Sequence, residues 1–355
     1  MMRLRPDRPV LRIDILSDMI YTDLTEHKGE GIRMIINGST SEFIDWTDTE
    51  GHIINVSDGG MIFADGRYHW YGQVMQDLGE GKGFTSSSAT LQGIAMYGSE
   101  DLEHWEYEGI ILACSTEAEG DLKAPLRFER SKIIYNVGTG KYVLWCHYVK
   151  YPGVHGTDPG TAEAGLAVSD RVNGPYKWIG AYRPIDEKGA VKDCTVYQDE
   201  DGSAYFIYDR KTSEQERCLH IVRLSDDYCS FTGEYRRIGA AFHREAPAVI
   251  KRDGYYYLIT SGLSGWAPNE ARYYRTTDLM GEWEDMGDPC VDDAEHNTFR
   301  SQSTYAFTER KTGRVILMSE RHNTQSFLHC SYIWLPVDFH EDHTLSLTYR
   351  ECWGI

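Results

Sequence analysis

The chain has 355 residues, enough to bury a large core, and its 36 lysines and arginines against 55 aspartates and glutamates leave a net charge of −19. That balance argues against nucleic acid or an anionic membrane surface as a partner. There is no apolar run of membrane-spanning length, no leader-like stretch at the N-terminus and no C-x-x-C pair among the eight cysteines, so the expectation is a reduced, cytoplasmic protein without a structural zinc site.

One small unit recurs five times along the chain: a polar residue, an apolar or aromatic strand, a glycine turn and a second strand. Asp58 leads into Met61-Ile-Phe63, a turn at Asp65-Gly66 and Tyr68 to Tyr71. Glu129 leads into Ile133-Ile-Tyr135, a turn at Gly138 to Gly140 and Tyr142 to Trp145. Asp193 precedes Val196-Tyr197, Asp201-Gly202 and Tyr205 to Tyr208, and Glu245 precedes Val249-Ile250, Asp253-Gly254 and Tyr255 to Ile259. Gln302 opens the last copy, with Tyr305 to Phe307, a turn ending at Gly313 and Val315 to Met318. The leading residues are 71, 64, 52 and 57 positions apart.

Between hairpins lies a second recurring segment, a β-rich run, a Ser/Thr/Asp turn and an aromatic. Ile94 to Trp105, Gly165 to Trp178, Leu219 to Tyr228 and Tyr273 to Trp283 are its copies. Hairpin plus segment supplies about four strands, the content of one propeller blade. Units of this size cannot bury both faces alone, so neighbours must stack, and radial closure achieves that. The predicted fold is therefore all-β: a single domain over 1–355, a five-bladed β-propeller with four antiparallel strands per blade. The fifth unit is one strand short, and the N-terminal segment 1–45, through the run 10–16, is the candidate to close it. The stretches 79–88 and 151–161 read as long loops rimming the site.

In a propeller the innermost strands converge on the axis, so their first residues meet at one mouth of the channel. Five polar groups at equivalent positions, several of them carboxylates, must shift one another's pKa values. Cleavage of a glycosidic bond needs that: one carboxyl held protonated for the leaving oxygen and another ionised to activate water.

The order of several motifs resembles glycoside hydrolase family 43, and within it the exo-β-1,3-galactanase-like and arabinofuranosidase-like branch. These are Trp46 to Asn55, Ser99 to Trp105, Glu129-Arg-Ser-Lys, Asp193 to Gly202, Arg244-Glu-Ala-Pro and Ser261 to Trp266, within roughly residues 43 to 340. The resemblance implies an inverting glycosidase on a five-bladed propeller. It implies that Glu245 is the general acid, that Asp193 tunes and orients it, and that Asp58 stands at the general-base position. Glu129 and Gln302 match polar residues lining the sugar pocket; Arg244 and Trp266 are further candidates for sugar contact. Some departures bear on the substrate: Ser57 replaces a usual His, Lys192 a usual Arg, Gln73 a Glu and Ser131 a Pro, while Arg321-His-Asn replaces a tryptophan-containing stretch.

The expected mechanism is protonation of the glycosidic oxygen by Glu245 and deprotonation of water by Asp58, with the two carboxyls roughly 6.5–9.5 Å apart. A variant gives the water-positioning role to Gln302 or Glu129. The expected substrate is an oligosaccharide or glycoside ending in galactosyl or arabinosyl; the alternative is a non-catalytic propeller that binds glycan or protein. No metal site is indicated by ligand spacing and no cofactor is required, although some relatives hold a calcium ion in the channel, which His147, His220 and His322 could approach. Trp70 and Trp145 are expected in the core.

Overall fold

The computed structural model describes residues 33–75, 92–124, 126–150 and 162–355. The stretches 10–16, 79–88 and 151–161 lie outside the described residues. Residues 34–355 form one compact unit, opened by the short strand β1 (Met34–Ile36). Blade one is β2 (Ser57–Ala64), β3 (Arg67–Gln73), β4 (Gly93–Ser99) and β5 (Glu106–Ala113). Blade two is β6 (Leu126–Asn136), β7 (Lys141–Lys150), β8 (Ala162–Ser169) and β9 (Lys177–Tyr182). Blade three is β10 (Ala190–Gln198), β11 (Ala204–Lys211), β12 (Arg217–Leu224) and β13 (Phe231–Phe242). Blade four is β14 (Arg244–Arg252), β15 (Tyr255–Gly262), β16 (Arg272–Thr276) and β17 (Glu284–Gly287). Blade five has three strands, β18 (Gln302–Thr308), β19 (Val315–Arg321) and β20 (Ser331–Pro336). A hairpin of β21 (Asp338–Phe339) and β22 (Leu345–Ser346) follows, and β23 (Cys352–Gly354) pairs antiparallel with β1.

Each blade is a meander of antiparallel neighbours, and alternation along its strands gives it two apolar faces. Trp70 and Tyr71 show the consequence: the first packs against blade five with Met318, Tyr332 and Trp334, the second against blade two with Phe128 and Leu144. Three further clusters of the same kind join blades two to three, three to four and four to five. Trp145 is fully buried between blades two and three. The seam between blades five and one holds an aromatic nest in which Trp46, Trp105, Tyr332 and Trp334 surround Trp70 at centroid distances of 4.4–5.7 Å. Beside it, the Asn37 side chain treats the outer edge of blade five as a strand would. Its Nδ2 donates to Trp334 O (2.8 Å) and its Oδ1 accepts from Trp334 N (2.9 Å).

The inner strands do not run straight into the channel mouth. In every blade the pairing of the first two strands shifts near the start, between Ser57 and Gly60, Glu129 and Lys132, Val191 and Cys194, Glu245 and Ala248, and Ser303 and Tyr305. Such bulges re-aim side chains. Asp58, Arg130 and Ala246 take the left-handed conformation there, with φ of 58°, 55° and 53°. Gly59 makes room for the first of these turns, since a Cβ on it would lie 1.5 Å from Tyr71 O.

Candidate active site

The five leading residues all stand at the inner-strand starts, but they do not share one register. Glu129, Glu245 and Gln302 pair across the hairpin with His147, Ser261 and Glu320, and the residue of blade one in that position is Ser57, opposite Gln73. Asp58 instead occupies the bulge, where blades two and four have Arg130 and Ala246. In blade three Lys192 and Asp193 form the bulge opposite Asp209. The expectation of five equivalent positions is thereby corrected: the bulge adds a residue per blade, and a sequence alignment by spacing does not register it.

A cavity of about 320 Å³ opens over these residues. Asp58, Glu129, Asp193, Glu245, Gln302 and Trp266 all line it. Arg244 does not. Its neighbour Glu245 faces the cavity, so alternation turns Arg244 the other way, where its guanidinium donates to Thr260 Oγ1 (3.0 Å) and to the carbonyls of Thr260 (3.0 Å) and Glu270 (2.8 Å). Nor does His220 approach the channel: it lies on the third strand of blade three, bonded to Cys218 O. Trp266 meets His322 and Phe327 edge-on, at centroid distances of 4.6 and 5.1 Å. A larger cavity of about 470 Å³ includes Phe63, Tyr135, Tyr197 and Phe307 in its lining. It lacks paired inner-strand carboxyls, so the chemistry belongs to the smaller one.

Arg130 is the hub of the polar cluster. From blade two its Nη2 lies 3.0 Å from Asp193 of blade three and donates to Gln302 Oε1 of blade five (2.5 Å); Nη1 donates to Ser303 O (2.6 Å). Its Nε stands 3.6 Å from Asp58 Oδ1 of blade one. Gln302 in turn donates to Ser261 Oγ (2.9 Å) and reaches Glu245 Oε1 at 3.4 Å.

The two carboxyls assigned as acid and base sit in opposite electrostatic environments. Burial and the charge of Asp193 push Glu245 up to about 8, against the partial restraint of Arg217, whose Nη2 donates to its Oε2 (3.1 Å). Arg217 is itself drawn off by the fully buried Asp209, to which Nε donates at 2.8 Å. Asp58 is also buried, which by itself raises its pKa, but Arg130 and His322 outweigh this and hold it below the usual carboxylate range. Its Oδ2 accepts from Gln73 Nε2 (3.4 Å), while Oδ1 has no hydrogen-bond partner among the described residues. Behind it Glu320 accepts from the Asp58 backbone N–H (2.9 Å) and Ser57 Oγ (2.8 Å), and burial together with the Asp58 charge pushes Glu320 up. Glu129 is held well below its ordinary range despite burial, by Arg127 (2.9 Å) and by His147 (3.0 Å). Pairs of titrating groups pushed apart in this way mark acid and base assignments.

Sequence reasoning missed Arg130, Arg217, Asp209 and Glu320. A signal was present: Gln73, His147, Asp209, Ser261 and Glu320 are polar residues in the later half of the second strands, opposite the starts of the first strands. Asp58, Glu320 and His322 bring ligand atoms within 4.8 Å of one another. They offer two carboxylates and an imidazole, whereas calcium takes about 6–8 oxygen ligands, and Arg130 stands against Asp58. Lys132, buried beneath, already donates to the carbonyls of Asp58 (3.3 Å), Gly59 (3.0 Å) and Ser131 (3.2 Å). That donor set fits calcium poorly.

Comparison with known proteins supports the same chemistry. The family model for glycosyl hydrolases family 43 matches residues 80–345. The chain is similar to a GH43 beta-1,3-galactosidase solved with galactodeoxynojirimycin: 33% identity over 90% of this chain and 100% of that one, TM-score 0.79. It is similar to an exo-beta-1,3-galactanase from Clostridium thermocellum, at 30% identity over 91% of this chain and 66% of that one, TM-score 0.72. An exo-beta-1,3-galactanase from Phanerochaete chrysosporium with beta-1,3-galactotriose gives 25% identity over 91% and 68%, TM-score 0.76. No curated protein matches the sequence. With the fold, the paired carboxyls and these likenesses in agreement, the chain belongs to glycosyl hydrolases family 43 and is a glycosidase.

Proposed function

We propose that this glycosidase removes terminal β-1,3-linked galactosyl residues from oligosaccharides or glycosides, with inversion at the anomeric carbon. One observation carries the reading: in a single cavity Glu245 is raised to about 8 while Asp58 is held ionised. At neutral pH Glu245 donates its proton to the glycosidic oxygen as the bond to the anomeric carbon breaks. Asp58 takes a proton from a water through Oδ1, the oxygen that accepts no hydrogen bond from the described residues, as that water bonds to the same carbon from the opposite face. Asp193 keeps Glu245 protonated, and Arg130 spaces Asp58, Asp193 and Gln302. Galactosyl is favoured over arabinosyl because the similar structures named above are galactosidases and galactanases.

The test is a panel of aryl β-galactoside, arabinofuranoside, xyloside and β-1,3-galactobiose, with the anomer of the first product followed by NMR. Release of α-galactose from galactobiose is the expected result. Release of β-galactose rules out inversion, and turnover of arabinofuranoside alone rules out the sugar. A second reading, in which Gln302 orients the water, draws on the bonds from Arg130 to Gln302 and from Gln302 to Ser261. Full activity of Asp58→Asn with loss in Gln302→Ala would select it.

A further inference from the structure

The cavity of a protein with net charge −19 is rich in cations: Arg127, Arg130, Lys192, Lys211 and Arg217 all line it. Four of them have a direct partner. Arg127 meets Glu129, Arg130 meets Asp193 and Asp58, Lys211 meets the exposed Glu214, and Arg217 meets Asp209 and Glu245. The Lys192 side chain has no hydrogen bond and no ion pair among the described residues. It is there because of the bulge: a regular strand would alternate Lys192 and Asp193 between faces, but the bulge in β10 brings both to the cavity wall. Its charged surroundings are mixed, with Lys211 and Arg217 on one side of the balance and Glu129 and Asp209 on the other. Each of those two acids is already claimed at contact distance by an arginine. A partly buried ammonium in that position is stabilised by an anion brought by the ligand.

We infer that Lys192, backed by Lys211, forms an anion subsite that takes a negatively charged substituent, a uronate carboxylate or a sulfate ester, on the sugar chain bound in the cavity. The inference deepens the galactosidase reading and rests on it. A neutral galactoside fills the acid–base centre without engaging Lys192, whereas an acidic one adds a charge-assisted hydrogen bond in a confined site.

The test uses the full chain carrying Glu245→Gln, so that ligands bind without turning over. Calorimetry at low salt compares β-1,3-galactobiose with the same disaccharide bearing a glucuronosyl group and with its sulfated form. At least one acidic form is expected to bind about tenfold tighter than the neutral one, about the effect of one such bond, and the two arms separate carboxylate from sulfate. Lys192→Met in that background should abolish the gap and Lys192→Arg should restore it. Equal affinity for all three sugars overturns the subsite, as does a gap that survives Lys192→Met. If the protein without these substitutions cleaves none of the three while the Lys192-dependent gap persists, the subsite stands and the galactoside-cleavage reading falls.

Discussion

At the scale of single residues, the carboxyls set the pH dependence. Glu245 is the acid only while protonated, so kcat/KM should fall as pH rises through about 8. Asp193 contributes to that elevation by its negative charge, and neutralising it removes the contribution. The Asp193→Asn variant should therefore carry its alkaline limb at lower pH, measured on an aryl galactoside. Asp58 must be ionised, and its pKa lies below the ordinary value, so the acid limb should fall below about pH 4. Replacing Glu245 by Gln should lower kcat/KM on a disaccharide by about 10²–10⁴, and less on an aryl glycoside whose leaving group needs no proton. Asp58 also sits in a left-handed conformation, φ 58°, which costs a non-glycine residue about 1–2 kcal/mol. Asp58→Gly should accordingly be about 1 kcal/mol more stable than Asp58→Ala in urea denaturation, while both lose activity. The polar residues heading the hairpins were legible in the sequence because each precedes a strand and a glycine turn. Their partners were not. Arg130 meets Asp193 and Gln302 only because blades two, three and five converge, and no local pattern encodes that. Arg244 misled for a related reason, since adjacency to Glu245 in sequence places it on the opposite face of the strand.

At the scale of elements, the bulges at the starts of the inner strands decide what enters the cavity. The hairpins could be drawn from glycine turns and apolar runs alone, but a bulge adds one residue on one side of a ladder, visible only in the pairing. The bulge of blade one is held by Lys132, whose ammonium donates to the carbonyls of Asp58, Gly59 and Ser131. Lys132→Met leaves these buried acceptors without their donor and should cost about 3 kcal/mol of stability. It should also lower kcat more than it changes KM, since it loosens Asp58 and not the sugar-lining residues. Because Arg130 already supplies positive charge against Asp58, EDTA should leave kcat/KM unchanged. Loss of activity on chelation, with recovery on adding calcium, would show that a metal works there.

For the whole molecule, five repeats predicted five blades because a unit with two apolar faces must be covered on both sides. How the ring closes was less legible. The three-stranded blade five is flanked by β1 and β23, with Asn37 bonding both backbone groups of Trp334. Asn37→Ala should cost about 1–3 kcal/mol by leaving those buried groups unpaired. Trp334→Ala, which empties the middle of the aromatic nest, should cost about 3–5 kcal/mol. Both are measurable by denaturant unfolding.

One guanidinium touches four of the five blades. Arg130 belongs to blade two and reaches groups of blades one, three and five. Catalysis is therefore an assay for circular closure: parting blade one from blade two or five, or blade two from blade three, separates Arg130 from a partner, and parting blade four from blade three or five separates Glu245 from Arg217 or Gln302, before most of the apolar seams are exposed. In a urea titration, turnover should disappear at a lower concentration than the one that shifts the fluorescence of the buried tryptophans. The sugar-cleaving centre is thus the first part of the ring to register that it has opened.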